Sequence, residues 1–189
     1  EGGVLPAIMA VLLALLVFVP GLLHFTEAGG GPGALRAAVW VSLAAGLVVG
    51  ALAQRTRLCM VGGIRDLVLF REPKLILGFA AIFLAALVAN LCLGKFAPGF
   101  AEQPVAHTDG LWNALGMFLA GYGCVLLGGC PLRQLVLSGE GNADSAAAVL
   151  GLLVGAAFSH NFGLASSAAG PTDAGRVAVV IGIAVVSVI

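Results

Sequence analysis

The sequence predicts an all-α integral membrane protein: a polytopic helix bundle with short re-entrant or broken helices and an internal structural repeat. Three observations predict it. Of the 189 residues, 60% are hydrophobic and only 10% charged, with a mean hydropathy of +1.10, whereas a soluble domain carries roughly a quarter charged residues. Uncharged runs of bilayer-spanning length recur between charged or turn-forming stretches. The 28 glycines fit the same class, because small residues let membrane helices pack closely. A formal net charge of zero offers nothing to nucleic acid. Four cysteines without a CxxC pair make neither a disulfide framework nor a zinc site, so no metal and no cofactor is expected.

The chain reads as one transmembrane domain over residues 1–189. Residues 4–23 form the first span, with Pro20 as a kink or terminator. Its start, Glu1-Gly2-Gly3, lacks the basic residues of a signal peptide. AGGGPG at 28–33 is a turn, and 35–53 form the second span. Lys74 and Lys95 bracket a third span over 75–94, and a polar loop at 96–109 holds Pro98, Pro104, His107 and Asp109. Spans four and five cover 111–129 and 144–163. A sixth, over 176–189, is incomplete, since a span needs about 20 residues; a fragment or a missing tail is expected.

Charge sets the expected orientation. The stretch QRTRLCMVGGIRDLVLFREPK at 54–74 holds five of the nine basic residues, which places it in the cytoplasm by the positive-inside rule. Alternation then puts 24–34, 95–110 and 165–175 outside and 130–143 inside. Arg55, Arg71 and Lys74 read as interface anchors. The GxxxG pairs GLVVG at 46–50 and GLLVG at 151–155 permit close helix contact, inside one subunit or at a dimer seam.

Two segments interrupt this pattern, at 57–72 and 130–140. CMVGGIRD (59–66) and CVLLGGCPLRQ (124–134) each set a cysteine before a Gly-Gly pair, then deliver an arginine and a polar side chain. The matched layout predicts a repeat, a common plan in transporters. Glycine pairs, Gly62–Gly63 and Gly128–Gly129, release the backbone from helical geometry. Pro131 starts a new helix well because the first turn has no use for its missing N–H. Short helices beginning at such breaks present free N–H groups to an anion.

Cys59 and Cys130, at the bends, are the functional thiols on this reading. Cys124 is the open case, being six residues before Cys130 and on another face if the helix continues. Cys92, inside a smooth span, reads as an inert small hydrophobe. A charge at membrane depth needs a partner or a wet cavity, so Arg57, Arg65 and Arg133 are candidates beside the thiols, unless Asp66, Glu140 and Asp144 simply neutralise them. Gln134 accompanies Arg133, and Glu140 braces the turn SGEGN. His160 and Asn161 either line a path or bond between helices.

QRTRLCMVGGIRDLVLFR, GYGCVLLGGCPLRQLVLSGEGNADSA and GLLVGAAFSHNFGLASS resemble the YeeE/YedE family of membrane proteins, over most of residues 46–170. GGCPLRQ and GEGN are closest to its branch associated with selenium metabolism. The resemblance implies an hourglass bundle of two similar halves in a bacterial inner membrane. It also implies import of thiosulfate or a related sulfur species past a line of cysteines, with Cys59 and Cys130 standing at two of the family's motif positions. Full-length members are about twice as long, and a further motif cysteine is absent here. A second half-transporter subunit, or a cytoplasmic sulfur or selenium carrier, is the implied protein partner beside the bilayer. Against transport stand two other readings, a membrane sulfurtransferase or thiol redox protein and a non-transporting scaffold. The lack of CxxC and of an acid–base set beside the thiols argues against the enzyme.

Overall fold

A computed structural model describes residues 2–19, 21, 37–99 and 107–188. Among them are eight α-helices: α1 (Val4–Phe18), α2 (Val39–Thr56), α3 (Met60–Phe70), α4 (Lys74–Cys92), α5 (Gly110–Leu126), α6 (Pro131–Gly139), α7 (Ala143–Asn161) and α8 (Asp173–Val188). No strand occurs among the described residues; Ser167 and Gly170 pair as an isolated bridge between α7 and α8. The turn expected at 28–33, Pro20, and the stretch containing Pro104 lie outside the described residues.

Among the described residues four stretches are long and apolar enough to cross a membrane: Val39–Phe70, Lys74–Cys92, Gly110–Gly139 and Ala143–Asn161. The chain is therefore an all-α, multi-pass membrane protein. Its exposure pattern fits that solvent. No residue of α4 is buried, and Leu77, Phe83, Leu84 and Val88 are each more than half exposed. In water such a face is a liability, whereas lipid tails solvate it.

The first and third of these stretches are interrupted. α2 ends at Arg57, which takes a left-handed conformation (φ 52°, ψ 34°), and α3 starts three residues later. α5 ends by a different device. Gly128, at φ +70°, turns the chain, the Gly129 N–H bonds the Cys124 carbonyl at 3.1 Å, and the Gly128 N–H bonds the Val125 carbonyl at 3.0 Å. This paired reversal is a Schellman cap, for which glycine avoids the penalty of a Cβ at positive φ.

The two Gly-Gly pairs therefore do different work, which corrects the matched role expected for them. Gly128–Gly129 makes a break. Gly62–Gly63 lies inside α3, whose helix runs through it, and the break precedes it at 57–59. Gly63 is a packing residue: a Cβ there would stand 3.3 Å from both the Ile76 nitrogen and the Leu75 Cβ of α4.

Two compact units divide the chain. One contains α1, α2, the body of α6 and the start of α7. The other contains α3, α4, α5, the rest of α7 and α8. The chain passes between them at 57–58 and 131–132, the two breaks, and again at 147–148 within α7. In the second unit α3 packs on α4 and α5, and α5 packs on α8. There Gly182 of α8 abuts Leu119 of α5 so closely that a Cβ would stand 2.7 Å from Leu119 Cδ2. The GxxxG glycines Gly46, Gly50, Gly151 and Gly155 make no such contact among the described residues.

Candidate thiol site at two helix heads

Each interrupted stretch delivers a cysteine to the position just before a short helix. Cys59 is the N-cap of α3, in extended conformation (φ −150°, ψ 118°), and Cys130 immediately precedes Pro131, the first residue of α6. The first turn of a helix leaves N–H groups unpaired, and an N-cap side chain ordinarily satisfies one of them with oxygen. Here sulfur does it: the Gly62 N–H donates to Cys59 Sγ at 3.3 Å. The backbone amides of Val61 and Cys130 and the Cys130 side chain also lie close enough to act on that sulfur.

Both thiols are buried, at 7% and 8% exposure, in a molecule with few buried side chains. Cys124, half-buried on the last turn of α5, lies within electrostatic reach of Cys59 and Cys130. The reversal at Gly128 removes the continuous helix on which Cys124 and Cys130 would face apart. Among the described residues the three thiols do not make a metal-binding group. Gly62 leaves room for the sulfur, since a Cβ there would stand 3.4 Å from Cys59 Cβ and 3.5 Å from its Sγ. Cys92 is exposed, at the end of α4.

The expected charges distribute unevenly. Arg65 donates from Nε (3.0 Å) and Nη2 (2.8 Å) to Asp66 Oδ1 and is 62% exposed. That exposed neighbour pair spends the arginine's donors away from the sulfurs. Arg57 is exposed at the end of α2. Arg133 lies in the first turn of α6, with a buried Nη1 that has no hydrogen-bond partner. Gln134 beside it is buried, and Glu140 is exposed just past α6. His160 and Asn161 stand exposed on the last turn of α7, Asn161 bonding back to the Ala157 carbonyl at 2.8 Å. No hydrogen bond joins Arg65, His160 or Asn161 to the thiols among the described residues.

The amides on Cys59 are the functional groups that a residue list passes over. Their signal was a cysteine at the place where serine, threonine or aspartate usually opens a helix.

Fold and site together define a multi-pass membrane protein with buried thiols at the heads of short, interrupted helices. The chain belongs to the sulphur transport family, whose model matches residues 55–186 and so takes in both breaks and all four cysteines. This is the YeeE/YedE family that the motifs resemble. A thiosulfate transporter, TsuA, of Spirochaeta thermophila is 31% identical over 103 residues, which are 54% of this chain and 31% of that protein. The TsuA thiosulfate transporter of Escherichia coli is 30% identical over 102 residues, 52% of this chain and 28% of that protein. The matched part thus spans less than a third of either relative's length. No solved structure matches the chain significantly.

Proposed function

We propose that this protein carries a small sulfur- or selenium-containing anion of the thiosulfate type across a bacterial inner membrane. The path is lined by Cys59, Cys124 and Cys130 and by the heads of α3 and α6. One observation carries the reading: Cys59 and Cys130, at the heads of separate short helices, are both buried in a membrane protein, with the Cys130 amide and side chain close enough to act on the Cys59 sulfur. Two similar proteins are named as thiosulfate transporters, which supports this reading.

The chemistry suits such cargo. A thiol is a weak donor on a soft, polarizable atom, so it meets a sulfur anion without holding it tightly. Conduction needs binding favourable enough for entry and weak enough for exit. The heads of α3 and α6 supply fixed positive dipole ends without carrying a full charge. Arg133, with its unpartnered buried Nη1, supplies a full one. A second half-transporter subunit or a cytoplasmic sulfur or selenium carrier completes the system on this reading.

Uptake of labelled thiosulfate into proteoliposomes holding the full-length protein tests the proposal. Accumulation above empty liposomes is the expected result. Conversion of thiosulfate at the membrane without accumulation would assign the thiols to an enzyme instead.

A further inference from the structure

We propose a second anion site, in the cavity between the N-terminal ends of α5 and α8, where Arg176 is the receiving cation. It deepens the transport reading and rests on it: this cavity is a capture site some distance from the thiols.

The cavity has a volume of about 260 Å³ and lies wholly within the second unit. Water takes about 30 Å³ per molecule in the liquid, so a small oxyanion fits with part of its hydration. Its polar lining comes from His107, Asn113, Ser166 and Arg176. Trp112 also faces it, and the Arg176 guanidinium carbon lies 5.6 Å from the centre of the Trp112 ring. That stacking holds the guanidinium in place without consuming a donor.

Arg176 has donors to spare. A guanidinium carries five N–H groups. One bonds Asp173 at 3.3 Å, through a carboxylate that is 97% exposed and so well hydrated. Asp109 Oδ2 lies 4.0 Å from Nη2, an ion pair beyond hydrogen-bond length. Nε is buried and has no partner. Neither carboxylate lines the cavity, so the charge facing it is positive. The two acids moderate the arginine, which favours brief occupancy over capture without release.

The surroundings are built to hold still. The Asp109 N–H donates to His107 Nδ1 at 3.3 Å, so the ring's N–H donor is Nε2. Asn113 Nδ2 donates to the His107 carbonyl at 3.2 Å. The Gly175 N–H donates to Thr172 Oγ1 at 2.9 Å, and Thr172 Oγ1 donates to the Gly163 carbonyl at 2.7 Å, fixing the opposite wall. Trp112 and Cys124 are twelve residues apart on α5, which at 1.5 Å per residue separates the cavity from the thiols by about 18 Å along the helix. On the orientation expected from the basic stretch at 54–74, this end faces outside.

Two readouts on full-length protein test the site. In proteoliposomes, Arg176→Gln is expected to raise the KM for thiosulfate about tenfold or more with kcat within about twofold, the loss expected of a charge-assisted hydrogen bond. Arg176→Lys should fall between, because lysine keeps the charge and loses the fork. In a Trp40→Phe background, thiosulfate should change Trp112 fluorescence saturably, and Arg176→Gln should remove that change. An unchanged KM with an unchanged titration in folded Arg176→Gln protein overturns the site and leaves the transport reading standing. A saturable titration that needs Arg176, in a protein that moves no thiosulfate, supports the site and overturns transport.

Discussion

Cys59 and Cys130 are far apart in sequence, yet the amide and the side chain of Cys130 lie close enough to act on the sulfur of Cys59. Each residue stands at the head of a short helix, and each is buried. On the transport reading proposed above, such a pair of thiols would pass a soft anion from one sulfur to the next without a covalent step.

Cys130→Ala is expected to abolish thiosulfate uptake while leaving folded protein in the membrane. Cys92→Ala, at an exposed position on α4, should be nearly silent. Cys59→Ser should fold as the parent does, because serine accepts the Gly62 amide at least as well as sulfur, but it should transport more slowly because oxygen is a harder partner for sulfur. Initial uptake rates at matched membrane abundance check all three, and parental rates in both Cys130→Ala and Cys59→Ser would remove the thiols from the path.

Arg133→Gln should impair uptake more than Arg71→Gln at equal expression. Arg133 has a buried, unpartnered Nη1 at the head of α6, whereas Arg71 is exposed at the end of α3. A guanidinium nitrogen buried without a partner is costly, so an anion that accepts from it gains affinity there. The larger loss falling on Arg71→Gln would contradict the assignment.

Gly128→Ala should destabilise the protein by about 1 kcal/mol, the cost of a left-handed conformation for an L-residue. A Cβ at Gly128 meets nothing within 4 Å, so the effect isolates the backbone term. Gly121→Ala, in helical α5 with equally open surroundings, should be neutral or stabilising. Thermal unfolding in detergent compares the two; equal melting temperatures would mean that the reversal after α5 does not need glycine.

Much of this was legible in the letters because membrane physics is simple. Lys74 and Lys95 bound an apolar run, and α4 fills most of it. Cys-Pro after a glycine pair marked the start of α6, since proline prefers the first helical position. Where the reading failed, one signal had two uses. A Gly-Gly pair serves a turn or a close contact equally well, and only the neighbouring helix decides; at Gly62–Gly63 it is α4. Arg65 could be read as a charge awaiting a ligand or as one that Asp66 neutralises, and the structure has the second. Arg176 drew no attention because its partners, Trp112 and Asp109, come from a helix far away in sequence.

The central claim is that cargo passes between Cys59 and Cys130, and reversible closure of that pair tests it most directly. In full-length protein carrying Cys92→Ala, mild oxidation with copper phenanthroline and oxygen should join Cys59 and Cys130 as a disulfide, located by mass spectrometry. Thiosulfate uptake should then stop, and dithiothreitol, by reducing the bond, should restore it. Undiminished uptake by protein that mass spectrometry shows to be fully bridged would contradict the account.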